Sequence, residues 1–304
     1  MLSLHTNNAA LSAQNSVNRT QSNLSTSMTR LSTGYRINSA MDDAAGLQIA
    51  TRLKAQSSGM AVAMRNTQNS ISMLQTADGA LSEVSNILVR MKDLATQAAD
   101  ASSTAPDQKA MQSEYDALGN ELNNIMNNTT FGGSALLKGG TLGGAMDFQI
   151  GASTAEKMTI NLGPAMTALE GTAGTAGLLG VSKNYGAPDT ANNAEIFDGA
   201  GGATPSSTVG ATAANTTIGV ISGAIDLVGA LRSGIGAAAN RLEHVHNNLS
   251  NISTNTQAAA GRIMDVDFAS ESANMTSTQM LLQAGTAMLK QSNSMSSMVM
   301  SLLQ

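Results

Sequence analysis

Residues 217–252 read TIGVISGAIDLVGALRSGIGAAANRLEHVHNNLSNI. Along this stretch Ile221, Ile225, Val228, Leu231, Ile235, Ala238, Leu242, Val245, Leu249 and Ile252 recur every three or four residues. At 3.6 residues per turn, such spacing gathers side chains on one stripe of an α-helix. A three-four alternation sustained this long is the pattern of coiled-coil-like packing, so the stripe requires long helical partners.

Toward the C-terminus, Asp265 and Asp267 are acids suited to the start of a further helix. That helix carries Met275, Leu282, Leu289 and Leu303 on one line and Leu281, Met288, Met295 and Leu302 on a second line beside it. Toward the N-terminus, Leu11, Val17, Leu24, Met28 and Leu31 predict a first helix, interrupted at Gly34. A second pattern begins after Asp42-Asp43 and runs from Leu47 through Met60, Leu74, Leu81, Leu88 and Leu94 to about residue 99 with no proline. Roughly forty residues of continuous helix span about 60 Å. Thr104-Ala105-Pro106 is a restart signal, because proline is tolerated in a helix's first turn. Met111, Tyr115, Leu118, Leu122 and Ile125 follow at helical spacing. After Asn127 the chemistry changes to turns, Phe131-Gly132-Gly133 and Lys138-Gly139-Gly140. Residues 147–150 and 157–162 alternate polar and apolar and predict a pair of short strands, a hairpin. Residues 164–215 are Gly, Ala, Thr and Asn with three of the four prolines, and support no firm element. The expected fold is mainly α: a long antiparallel helical bundle or coiled coil built from both chain ends, a small β-hairpin region, and a short irregular or β-rich outer insert. Leu24, Met28 and Leu31 of the first helix and Leu282, Leu289 and Leu303 of the last are the expected packing residues of the terminal helices.

Composition narrows function. Charged residues are 12% and aromatics 2%, against roughly 25% charged in an ordinary globule. So little charge leaves a free monomer poorly protected against association, which neighbouring copies would relieve by covering it. The net charge of −5 comes without any basic cluster, which argues against a nucleic-acid partner. No apolar run approaches bilayer-spanning length, so no membrane role is expected. Residues 1–14 lack the basic start and apolar block of a cleaved secretory signal. Without cysteine there are no disulfides or thiolate metal sites. His244 and His246, two apart on a helix, point to different faces and predict no metal site. Asp265, Asp267 and Glu271 read as helix-start acids rather than a calcium site. Gly199-Ala200-Gly201-Gly202 lacks the lysine of a phosphate loop. No catalytic residue, cofactor or metal is therefore expected.

Asn38-Ser39-Ala40-Met41-Asp42-Asp43-Ala44-Ala45-Gly46-Leu47 closely resembles bacterial flagellin. The likeness extends over Leu24–Ile37, over Leu88–Ala95 and over Gln283–Leu289 with the terminal Leu302-Leu303, covering about residues 1–162 and 217–304. It implies a filament protein whose terminal helices, residues 1–43 and 260–304, form an inner D0 tube. It implies a D1 shell of residues 44–163 and 217–259 with a β-hairpin, and a variable surface-exposed insert at 164–216. The resemblance further implies unfolded export by the flagellar type III system, with an export chaperone, filament cap and junction proteins as partners beside the homopolymer. Arg90, Leu94 and Glu114 match the family surface sensed by a host Toll-like receptor, a surface that also packs subunits. An extracellular place in the flagellum follows from the same likeness. Three departures stand out: Phe131-Gly132-Gly133 where Phe-Asn-Gly is frequent, Met295-Ser296-Ser297-Met298 where a proline is usual, and Gln304 where arginine is frequent. The alternative is a hook–filament junction protein, a relative that more often reads Asp-Asp-Pro where this chain has Asp42-Asp43-Ala44. The metalloprotease signature of some flagellins, two His four apart with a Glu between, does not occur.

Overall fold

The computed structural model describes residues 7–171, 177–182, 185, 195–196 and 207–302. Seven α-helices and two small antiparallel sheets are found among them. The helices are α1 (Asn8–Thr33), α2 (Ala44–Ala98), α3 (Ala105–Asn128), α4 (Gly163–Glu170), α5 (Leu178–Val181), α6 (Ser207–Met264) and α7 (Phe268–Leu302). Strands β1 (Thr130–Phe131) and β2 (Ser134–Ala135) pair with each other, as do β3 (Ala145–Gln149) and β4 (Lys157–Asn161). The chain is mainly α, as its periodicities predict.

Helix ends follow local chemistry. Asn7 caps α1 by accepting from the Ala10 N–H at 3.1 Å. Gly34 ends it with φ 75°, a left-handed conformation that glycine adopts without strain. Pro106 lies in the first turn of α3, where Thr104 and Asp107 form a reciprocal capping box. These hydrogen bonds, the Thr104 hydroxyl first, hold the Asp107 carboxyl below its usual range. Asp267 starts α7, its carboxylate accepting from the Ala269 N–H at 3.1 Å.

Two compact units make up the chain: residues 1–58 with 252–304, and residues 59–251. Each boundary falls inside a helix, α2 or α6. The central unit holds the main core. Leu74, Ala77, Leu81, Val84, Leu88, Met91, Ala95 and Ala98 of α2 are buried in a strict three-four rhythm. Ala214, Ile221, Ala224, Val228, Leu231, Ile235, Ala238 and Leu242 of α6 answer them, and Met111, Tyr115, Leu122 and Met126 of α3 complete the helical layer. The β3–β4 hairpin lays Met158 and Ile160 on the same core, each flanked by exposed neighbours.

Three expectations are corrected. Residues 164–216 were expected to be irregular or β-rich and surface-exposed. The described part holds α4, α5 and the start of α6, where Ala214 is buried in the core and the Thr217 hydroxyl donates to the Glu195 carbonyl at 2.7 Å. Leu178, Val181, Tyr185 and Ile196 are at most 2% exposed and belong to the core. Buried polar groups stitch them down: the Tyr115 hydroxyl donates to the Val181 carbonyl at 2.7 Å, and Gln112 accepts from the Ile196 N–H at 2.9 Å while donating to the Glu195 carboxylate at 3.0 Å. Finally, one 18-residue window between Gly210 and Met264 reaches a mean hydropathy of 1.5, so an apolar run of spanning length does exist. Along this helix Ile221, Val228, Leu231 and Ile235 are buried and Ile218, Val220, Ile225 and Leu227 pack half-buried against the same core, which accounts for its apolarity as core packing.

Candidate assembly surfaces

In the terminal unit, α1 and α7 run antiparallel and pack along their length. The Asn7 amide donates to the Ser292 carbonyl at 3.2 Å. Near the middle, a Cβ on Gly285 would lie 2.8 Å from Val17 Cγ2, so glycine permits the close approach of the two helices. At the other end Arg30 faces Glu271 across 3.9 Å, with Glu271 8% exposed. The less exposed positions on α1 are Ala10, Ala13, Val17, Thr20, Leu24, Ser27 and Leu31, with Arg30 beside the last of them. On α7 they are Glu271, Met275, Thr278, Leu282, Gly285, Leu289 and Ser292. Both sets alternate three and four, the spacing of a two-helix coiled-coil seam.

The structure therefore sorts the expected packing residues. Leu24, Leu31, Leu282 and Leu289 are half-buried in the seam. Met28 is not in it: the side chain is 58% exposed, and Ser27 takes the seam position between Leu24 and Leu31. Three and four from its neighbours, residue 27 keeps the alternation, whereas residue 28 lies about 100° further round the helix. Leu303 lies outside the described residues. The second line on α7 is uncovered, with Leu281 60%, Met288 66% and Met295 53% exposed, and Met280 beside them at 61%. Leu11 on α1 is 51% exposed. Ser27 and Gly285 escaped the sequence reading because it followed large apolar residues only; small residues at the three-four positions between leucines were the available signal.

The linker after α1 is tied to the α6–α7 joint. Tyr35 bridges Asp265, the Arg36 N–H donates to the Met264 carbonyl at 2.6 Å, and the Val266 N–H donates to the Gly34 carbonyl at 3.0 Å. Asp42 folds the linker on itself, accepting from the N–H groups of Ser39 at 2.9 Å and Asn38 at 3.0 Å. These two backbone donors, Ser39 first, hold the Asp42 carboxyl below its usual range. Asp43 accepts from the Gly46 N–H at 2.8 Å at the start of α2, where a Cβ on Gly46 would lie 2.9 Å from Ile37 Cδ1. The Asp42, Asp43 and Gly46 of the quoted motif are thus each required by the shape of this bend.

In the central unit, Arg90 on α2 and Glu114 on α3 form an ion pair of 2.6 Å in which both side chains are about half exposed. Leu94, one turn from Arg90, does not join them at the surface: it is 3% exposed and sits in the core beneath. Val89, 49% exposed, is the large apolar group next to the pair in sequence. Among the described residues, no group of three or more His, Asp or Glu is placed to hold a metal ion.

A class emerges from these features: a mainly helical chain whose two ends pair with each other and whose paired helices keep an uncovered apolar line. The family description "Bacterial flagellin N-terminal helical region" matches residues 4–141, and "Bacterial flagellin C-terminal helical region" matches residues 218–303. The chain belongs to the bacterial flagellins, the structural subunits of the extracellular flagellar filament. Flagellin A of Vibrio anguillarum is 36% identical across the whole of both chains. Polar flagellin C of Vibrio parahaemolyticus is 34% identical, again across the whole of both. A solved Vibrio parahaemolyticus structure named for a flagellar hook-associated protein covers 74% of this chain and 100% of its own, with a TM-score of 0.55. At 16% identity that likeness shows a shared fold alone. The full-length relatives bear flagellin names, so the junction-protein alternative is not favoured.

Proposed function

We propose that this chain polymerises with identical copies into the helical propeller of a swimming or swarming bacterium, after unfolded export by the flagellar type III system, and that it catalyses no reaction. The observation that carries this reading is the exposed line Leu281, Met288 and Met295 on α7. Apolar side chains spaced by sevens beside a seam that is already paired form a second seam, and a second seam calls for a further helix. Identical copies supply it through a contact that repeats without closing into a ring, which generates an open helical polymer. In this reading residues 1–43 and 260–304 make the inner tube and residues 44–163 and 217–259 the next shell, into whose core the described part of residues 164–216 packs. An export chaperone, a filament cap and junction proteins are the partners that export, growth and attachment require.

Seeding tests the reading. Concentrated monomer given sheared fragments of its own polymer is expected to grow filaments that lengthen with added protein. Protein that stays monomeric beside intact seeds overturns it, and short capped stubs would point to the junction-protein alternative.

Arg90 and Glu114 we assign to a second contact, with a host Toll-like receptor and with neighbouring subunits. Their support is the exposed, oppositely charged pair itself; Leu94 holds the surface up from beneath. Arg90→Glu is expected to lower receptor activation by at least about tenfold, as loss of a charged interface contact does. Monomer stability should change by no more than about 1 kcal/mol, because the pair is solvated. Undiminished activation by a correctly folded Arg90→Glu protein would exclude this role.

A further inference from the structure

The chain holds 19 methionines and no cysteine, so thioethers are its oxidisable sulfur. Their exposure divides by unit. In the central unit Met60, Met91, Met111, Met126, Met158 and Met166 are at most 8% exposed, and its remaining methionines, Met64, Met73 and Met146, are half-buried. In the terminal unit Met264 and Met275 are half-buried, whereas Met28, Met41, Met280, Met288 and Met295 are all more than half exposed, with Met41 at 97%. Three of these, Met280, Met288 and Met295, lie on the uncovered side of α7.

We propose that Met280, Met288 and Met295 form a redox-sensitive modification site: their oxidation to sulfoxides by a peroxide blocks addition of the chain to its polymer. The inference rests on the polymerisation reading above. The chemistry is a two-electron oxygen transfer. A thioether lone pair attacks one peroxide oxygen, the O–O bond breaks as the S–O bond forms, and the departing hydroxide takes the remaining proton and leaves as water. Sulfur loses two electrons and the peroxide gains them. Each event turns a flexible apolar group into a polar, chiral acceptor. In the monomer that acceptor faces water and costs little. In a helix–helix contact it must be buried, and a buried acceptor without a donor is unfavourable. Access works the other way: once copies cover the line, peroxide no longer reaches it. A dithiol-dependent sulfoxide reductase would restore the apolar line.

Full-length monomer and preformed filaments are exposed to graded hydrogen peroxide, mapped by peptide mass spectrometry, and assayed for seeded growth. In the monomer Met280, Met288 and Met295 are expected to oxidise at least about tenfold faster than Met91 and Met126, following their exposure. Met41 serves as the dose marker. The critical concentration of the oxidised monomer is expected to rise at least about tenfold, while the three positions stay reduced in filaments. The seeded growth of the Met280→Leu, Met288→Leu, Met295→Leu protein, measured against its own untreated rate, should not fall after peroxide. Oxidised monomer that carries all three sulfoxides yet grows like untreated protein overturns the inference alone. Loss of growth that persists in the triple leucine protein also overturns it, since the damage then lies elsewhere. Failure of the untreated protein to grow from intact seeds removes both this inference and the polymerisation reading.

Discussion

Leu281→Asp combined with Met288→Asp abolishes filament growth and leaves the melting of the central unit unchanged. Both side chains are about two-thirds exposed in the monomer, and substitutions at such sites usually shift stability by no more than about 0.5 kcal/mol. The polymer sees them differently. An uncompensated charge buried in an apolar contact costs about 3–5 kcal/mol, and every 1.4 kcal/mol is about tenfold in affinity. Two such charges in every subunit raise the critical concentration by at least about a thousandfold, beyond working range. Leu282→Asp supplies the contrast. Leu282 lies one residue away but in the α1–α7 seam, so this change also lowers the helicity of the monomer. Seeded growth followed by sedimentation, with circular dichroism on the monomers, separates the two. Normal growth of the Leu281→Asp, Met288→Asp protein would show that copies do not cover this line.

The difference between residues 281 and 282 marks where sequence reading stops. Both lines on α7 are visible as seven-residue repeats, and nothing in either repeat says which faces α1. The answer comes from small and polar residues: Gly285 brings Val17 close, and Ser292 meets Asn7. On α1 the same cause displaced Met28, because Ser27 occupies the seam. The long helices were legible, since α2 and α6 repeat large apolar residues over many turns and the repeat outweighs glycines such as Gly59, Gly223 and Gly234 within them. The β3–β4 hairpin was legible from strict alternation. Residues 164–216 were not, because an Ala-Gly-Thr stretch has neither period. What orders its described part is a set of single tertiary contacts, the Tyr115 hydroxyl, Gln112 and Lys138 over the Tyr185 ring at 4.3 Å, and no local pattern announces a partner so distant in sequence. Arg90 and Glu114 meet across α2 and α3 as an ion pair. Leu94 belongs to the core because it continues the α2 rhythm of Leu88 and Met91, which a resemblance taken residue by residue does not weigh.

The terminal pair is expected to open far more easily than the central unit in the monomer, and to lose that freedom on polymerisation. Amide hydrogen exchange should show protection at residues 8–33 and 268–295 at least about a thousandfold below that at residues 74–95. The cause is the amount buried. The central unit encloses Leu74, Leu81, Leu88, Tyr115, Leu122, Leu231 and Leu242 with no exposure at all. Along the described α1–α7 seam the buried residues are Ser27 and Glu271, and the leucines are only half-covered. Ordering a residue costs about 1–2 kcal/mol of backbone entropy, and a single thin seam offsets little of it. A thousandfold difference corresponds to about 4 kcal/mol between the two openings, well within the 5–15 kcal/mol that a stable unit commands. Protection of both terminal helices in the filament should rise toward that of the central unit, as the proposed cover over the second line on α7 requires. Equal protection of the two units in the monomer would mean that the seam suffices by itself, and assembly would then have to be driven from elsewhere on the molecule.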